Sequence, residues 1–127
     1  MKTTWILVAI LGFPLAALAL DAVQVPSKNL HVTWDEPTED ALGRPLADLA
    51  KVVLRATLDG VELLEAEAAV SGPTGGHEGF YTYLNVCQPN TEPAIVVSVY
   101  AVDTAGNESD AAIIPKTIDC VPPGKVK

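Results

Sequence analysis

The alternating run Ile95-Val96-Val97-Ser98-Val99-Tyr100-Ala101-Val102 leads directly into Asp103-Thr104-Ala105-Gly106-Asn107-Glu108-Ser109. A side-chain period of two belongs to an extended strand, whose successive residues point to opposite faces of a sheet. The glycine and asparagine that follow mark a reversal, because both tolerate backbone angles other residues avoid. Ile95, Val97, Val99 and Ala101 form one face. The other face carries Val96, Ser98, Tyr100 and Val102, more apolar than a solvent-facing side usually is, which predicts a strand in the interior of a sheet.

The same grammar recurs from residue 28 to residue 118. Leu30, Val32 and Trp34 alternate with His31 and Thr33, and Pro37 closes that strand because it has no amide to donate to a ladder. Val52, Leu54, Ala56 and Leu58 share one face of the next strand, with Val53, Arg55 and Thr57 on the other. Asp59-Gly60 suits a two-residue hairpin with positive φ at both positions. Val61 to Val70 is ambiguous: its Glu62, Leu63, Leu64, Glu65 and Glu67 fit either an exposed edge strand or a short amphipathic helix. Phe80 to Val86 is a strand with Tyr81 and Tyr83 opposite Phe80, Thr82 and Leu84, and neither face declares itself the buried one. Pro115 places the last strand, Asp110 to Ile118, at a sheet edge. Short strands between turn residues predict an all-β sandwich.

The first residues read as a targeting segment. Lys2 precedes an apolar stretch from Trp5 to Leu20, broken only by Gly12 and Pro14, and Ala17 and Ala19 supply the small residues of a cleavage site after Ala19. The alternative is an uncleaved anchor, although the run is shorter than the roughly 20 residues a bilayer span requires. The expected organisation is therefore a signal peptide at 1–19, one domain at 20–120 and a loose tail at 121–127. The formal net charge of −8 disfavours nucleic acid and anionic membrane surfaces, whose affinity for proteins depends on Lys and Arg. Cys87 and Cys120 are the only cysteines. In an oxidising compartment they are expected to form a disulfide, since a zinc site needs about four ligands and only His31 and His77 could join them.

Three motifs in order resemble the fibronectin type III domain: Val32-Thr33-Trp34-Asp35-Glu36-Pro37, the loop Gly43-Arg44-Pro45-Leu46-Ala47-Asp48-Leu49-Ala50, and Val99 to Ser109. The resemblance covers nearly all of the chain after the targeting segment. It implies a seven-stranded immunoglobulin-like sandwich, with Trp34, Leu54, Val97 and Val99 in the core. Two departures stand out. Ile95 occupies the position where the family opens its sixth strand with a corner tyrosine, and the connection Cys87 to Pro93 is longer than usual. In the family's topology Cys87 and Cys120 meet at one pole, where a bridge would fasten the two sheets in place of that corner.

No catalytic residues are expected. The chain lacks His-Glu-x-x-His, Gly-x-Ser-x-Gly and a phosphate-binding glycine loop. The family's topology would gather Asp35, Glu36, Glu39, Asp40, Asp103, Asn107, Glu108 and Asp110 around one pole. Oxygen ligands of that kind suit calcium, but none has the spacing of a calcium loop, and Asp and Asn also serve turns. No metal and no cofactor is therefore expected. The expected function is an exported, secreted, periplasmic or cell-surface module that binds a protein partner or forms part of a surface assembly. Its contact residues would be Tyr81, Tyr83 and Tyr100, with the outer face of the sixth strand and the sheet edges. The alternative is a polysaccharide-binding accessory module, which requires aromatics aligned on one face.

Overall fold

The computed structural model describes residues 19–126. The targeting segment therefore lies, except for Ala19, outside the described residues. Seven strands follow in order: β1 (Asp21–Val25), β2 (Asn29–Asp35), β3 (Leu49–Leu58), β4 (Val61–Ala69), β5 (Glu78–Tyr83), β6 (Ala94–Asp103) and β7 (Ala112–Thr117). They form two antiparallel sheets, one ordered β1-β2-β5 and the other β4-β3-β6-β7. The described chain is all-β, with no helix.

The core lies between the sheets. Leu30, Val32 and Trp34 of β2 face Val52, Leu54 and Ala56 of β3 and Ile95, Val97 and Val99 of β6, all of them buried. Burial of this apolar surface is the main force holding the sheets together. Ile95, near the start of β6, is 4% exposed and belongs to this core.

Alternation did not mark β1, which lies ahead of residue 28, and did not choose between strand and helix for β4. β1 carries an inverted pattern, with Ala22 buried, Gln24 half-buried and Val23 exposed, so its apolar residues do not mark its inner face. Gln24 turns inward and makes two hydrogen bonds to one residue. Its Nε2 donates to the Asp119 carbonyl, and the Asp119 amide donates to its Oε1, each at 2.9 Å. The segment after β7 is thereby joined to β1. The second element, β4, is a strand rather than a helix. It pairs with β3 from Leu58↔Val61 to Lys51↔Ala69, and its glutamates reach Arg55 and Lys51 across the ladder. The Asp59-Gly60 turn before it has φ of 52° and 80°, as a two-residue hairpin of this kind requires.

Cys87 follows β5 and Cys120 follows β7, and the two lie at disulfide distance with Cα atoms 5.4 Å apart. The link spans the ends of the two sheets. Around it the long connection before β6 runs beside the segment after β7: the Cys120 amide donates to Thr91, the Asn90 amide to Cys120, and the Ile118 amide to Pro93. β7 lies at a sheet edge and contains Pro115, opposite Val96 of β6. β6, with its two apolar faces, lies between β3 and β7.

Candidate interaction face

The outward side of the four-stranded sheet is built by the odd positions of β3 and their neighbours. Across β3 and β6, Val53 stands opposite Tyr100, Arg55 opposite Ser98, and Thr57 opposite Val96. On the far side of β6, Ser98 meets Ile113 and Val96 meets Pro115. On the other side of β3, Val53 meets Glu67 and Arg55 meets Glu65. Register alone therefore divides the face into a charged half over β3 and β4 and an apolar half over β6 and β7.

In the charged half, Lys51 Nζ lies 2.7 Å from Glu67. Arg55 lies 2.6 Å from Glu65 through Nη2 and 3.0 Å from Glu62 through Nε. The Arg55 guanidinium also sits 5.9 Å from the centre of the Tyr100 ring. The Glu67 carboxylate holds the Lys51 ammonium above its ordinary pKa, chiefly through their hydrogen bond. These side chains are substantially solvated, so the pairs add little stability and act mainly to fix side-chain positions. Lys51, Glu67, Tyr100 and Glu108 border a shallow depression floored by Val53 and Val102, which are nearly buried although they point outward.

The apolar half holds Val96 and Ile113, 39% and 64% exposed, beside Pro115.

The expected contact tyrosines divide. Tyr100 faces outward on this sheet. Tyr83 is only 2% exposed, and Tyr81 packs against the core beside it with ring centres 5.0 Å apart. Tyr83 is therefore not a surface contact residue, which corrects that expectation, while Tyr81 is half-buried. The cause is register: Tyr83 pairs with Leu30 and Tyr81 with Val32, the inward residues of β2. Burial pushes the Tyr83 phenol up to about 12. The outward aromatic of β5 is Phe80, 67% exposed, with its ring centre 5.5 Å from that of His31. Phe80 and Tyr100 lie on opposite sheets, so the outward aromatics form no row.

The acidic loops do share a pole, where the Thr104 amide donates to the Asp48 carbonyl at 2.9 Å. Three of their carboxylates are engaged locally. Asp103 accepts from the Asn107 side chain and from the Ala105 and Asn107 amides, and the Asn107 side chain is the chief cause of its lowered pKa. Asp40 accepts from the Leu42 and Arg44 amides and from Arg44 Nε; the Arg44 amide leads the lowering there. Glu36, 5% exposed, accepts from the His77 amide at 3.2 Å. Among the described residues no group of three or more His, Cys, Asp or Glu side chains is placed to hold a metal ion. Comparison with known proteins finds no matching family model and no curated relative.

Proposed function

We propose that this chain is an exported, non-catalytic module resembling fibronectin type III domains, which binds another protein through the outward face of its four-stranded sheet. One observation carries the reading: Val96 and Ile113, exposed and diagonal to each other across the β6–β7 ladder, share that outward face with Tyr100 and Arg55. Exposed apolar groups ringed by charges are what a binding surface offers and what a mere spacer has no use for. The strand order β1-β2-β5 and β4-β3-β6-β7 supports the family resemblance. The targeting pattern around Lys2 and Ala19, together with cysteines at disulfide distance, supports an oxidising destination: secreted, periplasmic or cell-surface.

The test is site-specific photo-crosslinking in the cells that produce the protein. A photoreactive residue replacing Ile113 should yield one discrete protein adduct, and one replacing Phe80 on the opposite sheet should not. Equal labelling from both positions, or none from Ile113, would remove the reading.

A further inference from the structure

Among the described residues the two sheets leave four free edges, and they are not equivalent. β1 is five residues long, stops at Pro26 and is tied to Asp119 through Gln24. β5 has six residues and includes Gly79. β7 has Pro115 in its middle, which removes an amide from any ladder. β4 is nine residues long and contains neither proline nor glycine. A register shift leaves Leu63 without a partner on β3, but Leu64 to Ala69 then pair without interruption.

Among the described residues the outer edge of that six-residue stretch is unpaired, and its side chains form two distinct rows. Glu65 and Glu67 lie on the outward face of the sheet, with Arg55 and Lys51. Leu64, Ala66 and Ala68 form the inner row, opposite the buried Ala56, Leu54 and Val52. The inner row is only partly covered, with Ala66 and Ala68 half-buried and Leu64 exposed, because four strands face only three. Leu64 is 40% exposed, while its partner Ala56 is 2% exposed. Alanine at two of the three positions makes this row small, with Leu64 its one large side chain.

We propose that the free edge of β4 accepts an extended segment of a partner protein as a fifth strand, with basic residues alternating with large apolar ones in that segment. The proposal rests on the protein-binding reading and adds to it a second surface and a partner chemistry. Unpaired backbone amides and carbonyls supply the affinity in strand addition, and alternate side chains supply the specificity. Basic residues of the segment would lie beside Glu65 and Glu67, and its apolar residues would cover Leu64, Ala66 and Ala68. A second copy of this chain is a poor occupant. It would bring the same glutamates against each other, and like charges directly opposite destabilise a strand pair. The chain's 16 acidic against 8 basic residues favour a basic partner in the same way.

The probe is a capped nine-residue peptide alternating valine and lysine, with a valine–glutamate peptide as control. It is added to the oxidised protein, and backbone amide hydrogen exchange is followed by NMR. Alternate amides within 64–69 should slow at least tenfold with the lysine peptide and stay unchanged with the glutamate one. Leu64→Lys, and independently Glu67→Lys on the solvated face, should each weaken binding about tenfold while far-UV circular dichroism stays that of the parent. Ile113→Glu should not affect it, so the edge and the β6–β7 face stand or fall separately. Absent protection, equal protection by both peptides, or protection indifferent to Leu64→Lys and Glu67→Lys overturns the proposal. A dimer seen by sedimentation and abolished by Leu64→Lys overturns it as well, by making a second copy the occupant.

Discussion

Replacing Gly79 by alanine should destabilise the protein because of one aromatic ring. Gly79 stands directly opposite Trp34 in the β2–β5 ladder. A Cβ at this position would lie 2.5 Å from Trp34 Cε2 and Nε1 and 2.7 Å from Cζ2. Carbon atoms in contact normally keep about 3.5–4.0 Å, so the indole would have to retreat by about 1 Å. It has little room to do so: Trp34 is 2% exposed and packed among Leu30, Val32 and Leu54. Overpacking of this kind costs about 1–3 kcal/mol, and the reduced freedom of the unfolded chain returns about 0.4–1 kcal/mol. A net loss of about 1–2 kcal/mol should appear as a lower urea midpoint, followed by far-UV circular dichroism. The decisive comparison is a double-mutant cycle with Trp34→Leu. In that background the added methyl meets no ring, so its cost should fall to about zero, a coupling of about 1 kcal/mol or more. If Gly79→Ala costs the same in both backgrounds, or nothing in the parent, the steric account of this glycine is wrong.

Two other perturbations have defined outcomes. Cys87 and Cys120 are separated by 33 positions, and a loop of that length stabilises a fold by about 4 kcal/mol in the chain-entropy model. Cys87→Ser with Cys120→Ser should lower the urea midpoint accordingly without altering the β-sheet circular dichroism, and an unchanged midpoint would show that the link contributes nothing. Asp103 and Asp40 have pKa values held below the ordinary 3.8 by hydrogen bonds to their charged forms. The stability they contribute is complete above that value and is lost as pH falls through their lowered folded-state values. Asp103→Asn should flatten the acid limb of a pH series of urea melts, and a limb as steep as the parent's would contradict the role given to Asn107.

Much of the candidate face is legible in the order of residues along the chain. The alternation of β6 places Val96, Ser98 and Tyr100 together and opposite Ile95, Val97 and Val99, and its two apolar faces point to an interior strand. Ile113 is not legible as their neighbour, because a side chain's position on a shared face depends on the register between β6 and β7. Gly79 is noticeable as a glycine bordering a strand, a common sign of close approach. The group it makes room for lies 45 residues away in sequence, on β2.

Where the chain is extended and where it turns follows from local chemistry. A period of two and the stereochemistry of Asp59-Gly60 are properties that need no partner. Alternation marks Trp34 as inward, between Thr33 and Asp35, whereas for Val97 and Val99, flanked by Val96 and Tyr100, it sorts the two faces without saying which is inner. Which side of β5 is buried, by contrast, is settled only when the strands pair. Both of its faces carry aromatics, and pairing of Tyr83 with Leu30 and Tyr81 with Val32 sends the tyrosines inward and leaves Phe80 in solvent. Pairing likewise makes a strand of β4, whose glutamates fit two local structures until β3 offers Arg55 and Lys51 across a ladder. Inner and outer are relations between sheets, and a strand's own residues can specify them only when one of its faces is plainly polar.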